Sequence, residues 1–192
     1  MIDSPVLPEE LDALPSVLEQ AGWELTGLVA THGDWDHVLA RTVWPEAPLG
    51  VAETTARRLA GDPGDAVRKL REFDAEHYVE RPRPLGLGAL QPLPVPGRLE
   101  VGDRELELHP ATGHTVDGMA LVAPWAGVLV CGDYLSPCEE PEGHTTDAGD
   151  YRDTLERLRP LVRAAEWVVP GHGAPLRPDR ALEILEAHLA KL

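Results

Sequence analysis

Four times along this chain a short apolar run breaks into a glycine-flanked loop that carries histidine or aspartate. The stretches are LVATHGDWDH (28–37), HPATGH (109–114), VLVCGD (128–133) and WVVPGHG (167–173). Ionisable side chains crowd the end of a buried strand only when something holds them there, because burying an unpartnered charge is costly. Glycine lets the backbone bend tightly around such a cluster. A fold for this chain therefore has to deliver strand ends to a common place.

Nineteen prolines and eighteen glycines divide the chain into many short elements. Residues 9–21 carry Leu11, Leu14, Leu18 and Ala21 at helical spacing, closed by Gly22, and Pro15 predicts a kink or a late start. A buried strand is expected over 25–33, a second over 49–53, and a charged helix over 54–77. The proline-rich stretch 80–97 reads as an extended surface connection. Alternating residues predict hairpins about Gly102-Asp103 and about Trp125-Ala126-Gly127. Helices are expected over 151–166 and 179–191, with a strand entering a loop between them. The order β/α, hairpins, β/α points to an α/β (α+β) chain with two facing sheets and helices outside, in a single domain over 1–192.

Acidic side chains outnumber basic ones by 33 to 17, for a net charge of −16. That surface repels phosphate backbones and anionic lipid, so neither nucleic acid nor membrane is an expected partner. MIDSPVLPEE has neither the basic start nor the apolar core of a signal peptide. Cys131 and Cys138 are expected as free thiols, and the chain as cytoplasmic.

Imidazole and carboxylate together form the ligand set of zinc and of non-haem iron or manganese. His32, Asp34, Asp36, His37, His114, Asp133 and His172 make seven donors. That is too many for one tetrahedral ion and suits two ions sharing a bridge. The series resembles the metallo-β-lactamase fold superfamily, whose signature is H-x-H-x-D-H, a distant His, a bridging Asp, and a final His in a G-H-G-like loop. The likeness runs from IDSP, similar to the family's I-D-T/S-G segment, to the C-terminal helix. It implies an αββα sandwich. It also implies that His32, Asp34 and His114 face one metal, that Asp36, His37 and His172 face the other, and that Asp133 bridges. Asp36 and Asp133 would then serve catalysis together with a bridging hydroxide, and Asp3 would stand behind the ligands.

The chain departs from that family twice. Asp34 replaces a histidine, giving HxDxDH. An added carboxylate makes each metal a weaker Lewis acid, and its harder oxygen favours iron or manganese where zinc is otherwise expected. Flavodiiron proteins carry glutamate at this point, together with a flavodoxin domain that this chain has no room for. The I-D-S segment also begins at Ile2, short of the family's first strands. Either translation starts upstream, or the sheet has a bare edge; a bare edge invites pairing, which favours a homodimer.

The resemblance implies a dinuclear metallohydrolase acting on a small-molecule ester, thioester or lactone, in the manner of glyoxalase II-like members. An iron-dependent oxidoreductase similar to persulfide dioxygenases is the alternative, with a phosphodiesterase of the same fold third. The remaining histidines are expected to be bystanders: His188 and His109 on outward faces, His77 without a partner motif, and His144 with CEEPEGH in a solvated loop. The five tryptophans are expected in core or rim packing, with Trp35 as a candidate apolar wall beside the first loop. Cys131 is expected to fill core.

Overall fold

Strand β1 (Leu28–Val29) lies parallel to β2 (Leu49–Ala52), with Leu28 opposite Leu49 and Val29 opposite Gly50. The structure, a computed structural model, describes residues 1–141 and 145–192. The chain resolves into two compact units, 1–92 and 93–192. His144 lies outside the described residues.

In the first unit, β1 is much shorter than the apolar run predicts. Ala30 N–H still reaches Gly50 O, but the next donor, Thr31 N–H, turns to the Asp3 carboxylate at 2.8 Å. A side chain thus captures the backbone where the strand would continue. On the other side of β1, Ile2 bridges Val29 in parallel.

Helix α1 (Pro8–Ala21) runs through Pro15 without the late start, and Gly22 closes it at φ 67° in the left-handed region. The long charged helix expected over 54–77 is two helices, α2 (Glu53–Gly61) and α3 (Asp65–His77). Pro63 and Gly64 separate them, since proline lacks the N–H that would carry the helix on. The proline-rich connection contains a strand, β3 (Leu90–Leu93), next to β2 in the sheet order. Leu28, Ala30, Val38, Leu39, Leu49, Val51 and Leu70 fill this unit's core.

The second unit is built on the order β4-β5-β6-β7-β8. The predicted hairpins appear as β4 (Gly97–Val101) with β5 (Arg104–Pro110), and β6 (Met119–Ala123) with β7 (Val128–Val130). Strand β8 (Trp167–Val169) then runs parallel to β7. Helix α4 (Ala148–Ala164) is capped by Asp147, whose carboxylate accepts from Asp150 N–H, and α5 (Pro178–Lys191) follows β8. Leu129, Cys131, Tyr151, Leu155, Leu158, Val168 and Leu185 are buried together, so Cys131 does fill core. Cys131 and Cys138 are not joined in a disulfide.

Two expectations about single residues fail. His188 is buried at 4% exposure, not solvated, because α5 turns it toward Tyr151. Trp23, Trp125 and Trp167 are exposed. Arginine covers two of them, Arg104 over Trp125 and Arg177 over Trp167, so cation–π stacking stands in for burial there. No helix among the described residues is long and apolar enough to cross a membrane.

Candidate metal centre

Sheet register explains why three loops of the second unit meet. Val130 lies opposite Val169 in the parallel pair, so Cys131-Gly132-Asp133 and Pro170-Gly171-His172 leave the sheet at the same edge. Leu121 opposes Val130 and Pro110 opposes Met119 in antiparallel pairs, which brings the end of β5, and with it His114, to that edge as well. His114 Nε2 stands 3.0 Å from Asp133 Oδ2, and His172 Nε2 stands 3.5 Å from Asp133 Oδ1.

The loops are pinned by hydrogen bonds to their main-chain groups. Gly171 N–H donates to Gly132 O at 2.6 Å, and Ser136 Oγ donates to His172 O at 3.1 Å. His114 N–H donates to the Tyr134 hydroxyl, which in turn donates to Thr112 O. Burial pushes the Tyr134 phenol well above its ordinary value, which keeps that donor protonated. Gly113 sits at φ 116°, and a Cβ there would overlap the Tyr151 backbone nitrogen, so only glycine fits.

In the first unit the donors are nearly contiguous. A short 3₁₀ turn, Trp35–His37, folds the loop back on itself. The His32 and His37 rings come within 4.0 Å, centroid to centroid, and both are buried. Thr31 Oγ1 lies 3.2 Å from His32 Nδ1, and Asp3 Oδ2 lies 3.1 Å from His37 Nδ1. The opposite nitrogens face carboxylates: His32 Nε2 is 3.8 Å from Asp34 Oδ2, and His37 Nε2 is 3.5 Å from Asp36 Oδ2. Asp3 also accepts from Thr31 N–H and Oγ1, and it holds a left-handed φ of 52°. Non-glycine residues there are strained, and such strain gathers at functional sites. Trp35 packs on Phe73 at 4.7 Å and walls the turn on its apolar side.

These residues fit a divalent metal ion. Two donors bound to one zinc at about 2.0–2.1 Å stand about 3.3–3.5 Å apart in a tetrahedron. The nitrogen–oxygen separations of 3.0–3.8 Å in both units bracket that spacing. In the first unit, too, Thr31 and Asp3 stand behind the imidazoles of His32 and His37, as such partners do in metal sites generally.

Within each unit the structure brings the sequence-predicted donors together. It also adds two residues that the sequence reading missed. Glu139, expected in a solvated loop, has Oε1 3.8 Å from His172 Nε2, and it forms with Asp133 and His172 a group whose ligand atoms lie within 4.8 Å of one another. Arg58 on α2 donates from Nη2 to Asp34 Oδ1 at 3.1 Å. The added charge of Asp34 therefore has a counter-ion. No motif signals Arg58; only its position, next to Leu59 and one turn after Thr55, which both line Gly33, could have suggested it.

Two sheets, five described helices and histidine-aspartate loops at strand ends define an α/β protein with clustered side chains that could hold a metal ion. The chain belongs to the metallo-beta-lactamase superfamily, whose sequence model matches residues 5–172. Solved structures share its fold. A metallo-beta-lactamase family protein of Thermus thermophilus is 22% identical with a TM-score of 0.72, over 98% of this chain and 70% of that one. A metallo-beta-lactamase from Pontibacter korlensis is 18% identical at 0.71, over 100% and 81%. The protein TTHA1623, solved in a di-iron-bound form, is 19% identical at 0.68, over 92% and 84%.

Proposed function

We propose that this chain is a single-domain, dinuclear metallohydrolase acting on a small-molecule ester, thioester or lactone. His32, Asp34, Asp36, His37, His114, Asp133 and His172 would be its metal ligands. The observation that carries the reading is the convergence of His114, Asp133 and His172 at one sheet edge with donor-like spacing. Their order after HxDxDH in a chain matched by the superfamily model supports it further.

Two bound dications would supply an acidified water and an electrophilic contact for the carbonyl oxygen. The chain's own part is to hold the ligands. Asp133 offers one oxygen toward each of His114 and His172, which suits a bridging role. Asp3 keeps His37 Nδ1 engaged, so that Nε2 is the nitrogen left for coordination. Zinc is the proposed metal. Iron or manganese is the alternative, and the carboxylate at position 34 is what favours it. Cysteines not joined in a disulfide are consistent with a cytoplasmic setting, and net charge −16 with an uncharged or cationic small substrate as opposed to nucleic acid or anionic lipid. A homodimer remains part of the proposal, and light scattering that finds a monomer would remove it.

Elemental analysis of the purified protein should return two metal equivalents per chain. Asp133→Ala should abolish turnover across a panel of esters, thioesters and lactones. Full activity in that variant would overturn the dinuclear reading. Oxygen uptake with glutathione persulfide, without hydrolysis of any panel member, would replace it with the iron-dependent oxidoreductase.

A further inference from the structure

Asp34 occupies the position where the family's motif carries a neutral imidazole, and its carboxylate is not left to solvent. Arg58 crosses from α2 to donate to Oδ1 at 3.1 Å, both side chains being 26% exposed. Two observations set this pair apart from an ordinary surface contact. Asp34 stands at the N-cap of the 3₁₀ turn, where aspartate usually accepts a backbone N–H, yet its side chain makes no such bond. The carboxylate has turned from its local partner to the guanidinium. Gly33 also makes the crossing feasible, since a Cβ there would lie 2.9 Å from Arg58 Nη2. The two oxygens are thereby divided: Oδ1 faces the arginine, and Oδ2 lies on the His32 side, 3.8 Å from Nε2.

We infer that Arg58 is a positioning residue for the metal ligand Asp34, and that the Asp34–Arg58 pair replaces the motif's histidine as one charge-neutral unit. The guanidinium takes Oδ1, leaves Oδ2 as the single donor toward a cation, and blocks bidentate chelation. A lone aspartate would bring net negative charge and two oxygens to the metal. The pair brings one oxygen and no net charge, as an imidazole brings one nitrogen and no net charge. The pairing offsets the charge of Asp34, while its harder oxygen donor, and the pull of that donor toward iron or manganese, remains. This inference rests on the proposal that Asp34 is a metal ligand.

The test is a double-mutant cycle on the full-length protein, stripped with chelator and titrated with zinc against a chromophoric competitor. Arg58→Gln should weaken one metal equivalent by roughly 10–100-fold, the usual effect of losing a partner that orients a ligand. Arg58→Lys should recover part of the loss, because a point charge restores compensation without the fork. In an Asp34→His background, Arg58→Gln should cost nothing. Equal losses in both backgrounds would overturn the inference by making Arg58 merely structural, and so would unchanged affinity in Arg58→Gln. Asp34→Ala separates the two levels. If it leaves affinity untouched, the ligand reading of Asp34 fails and the inference with it. If it weakens binding while Arg58→Gln does not, the inference alone fails.

Discussion

The two units assemble their donors by different means. In the first, four donors fall within six residues, and other side chains brace them: Asp3 behind His37, Thr31 beside His32, Arg58 against Asp34. In the second, His114, Asp133 and His172 come from three loops, and the register of β5 through β8 sets their meeting point. Hydrogen bonds to their main chain then pin those loops. The contiguous motif depends on bracing of its side chains, and the dispersed one on anchoring of its main chain. Damage to each should therefore look different.

Glycine substitutions give the largest expected contrast. At Gly113 a methyl group would overlap the Tyr151 backbone nitrogen, with φ at 116°, so nothing nearby can yield. Gly113→Ala should destabilise the protein by about 3 kcal/mol or more, read from urea unfolding. At Gly33 the same methyl group meets the ends of side chains, Arg58 Nη2 and Thr55 Cγ2, each at 2.9 Å. Gly33→Ala should cost about 1–2 kcal/mol and fall mainly on metal affinity, by displacing Arg58. Equal unfolding costs would erase the distinction between the units.

A smaller effect is expected behind His37. Asparagine tolerates the left-handed backbone of Asp3, so Asp3→Asn keeps the shape and removes the charge and one acceptor. Zinc affinity should fall roughly 10–100-fold while the unfolding free energy changes by about 1 kcal/mol. Unchanged affinity would mean that the first loop holds its geometry unaided, against the bracing account.

The same contrast decides what was legible in the sequence. HxDxDH is visible because its donors are neighbours in the chain, and the later histidines and Asp133 because glycine marks each strand end. Hairpins were legible from alternation and turn residues, and β4 to β7 follow them closely. Bracing was not legible, apart from Asp3. Arg58 and Glu139 sit on a charged helix and an acidic stretch, where sequence offers many equivalent charges and only the fold selects one. The length of β1 was hidden for a related reason, since a distant aspartate captures Thr31 N–H and ends the ladder. His188 misled because an amphipathic pattern treats histidine as polar, whereas a neutral imidazole packs readily beside an aromatic ring.

His188 supplies the smallest effect, and it separates the second unit's stability from its donor loops. Burial holds its pKa below the ordinary value, opposed by Glu140 and helped by Lys191, which pair with each other at the surface. The unfolded chain then binds the proton more readily than the folded one. Stability from this group is therefore complete above the ordinary histidine value of 6.5 and declines as pH falls below it. Urea midpoints of the metal-stripped protein should drop between about pH 7.5 and pH 5.5, and His188→Leu should flatten part of that slope. Hydrogen exchange should locate the difference between the two proteins in α4 and α5, where His188 meets Tyr151. An identical slope in the variant would assign the pH sensitivity to other groups. A difference spread evenly over both units would mean that they unfold together, and that bracing and register protect a single cooperative structure.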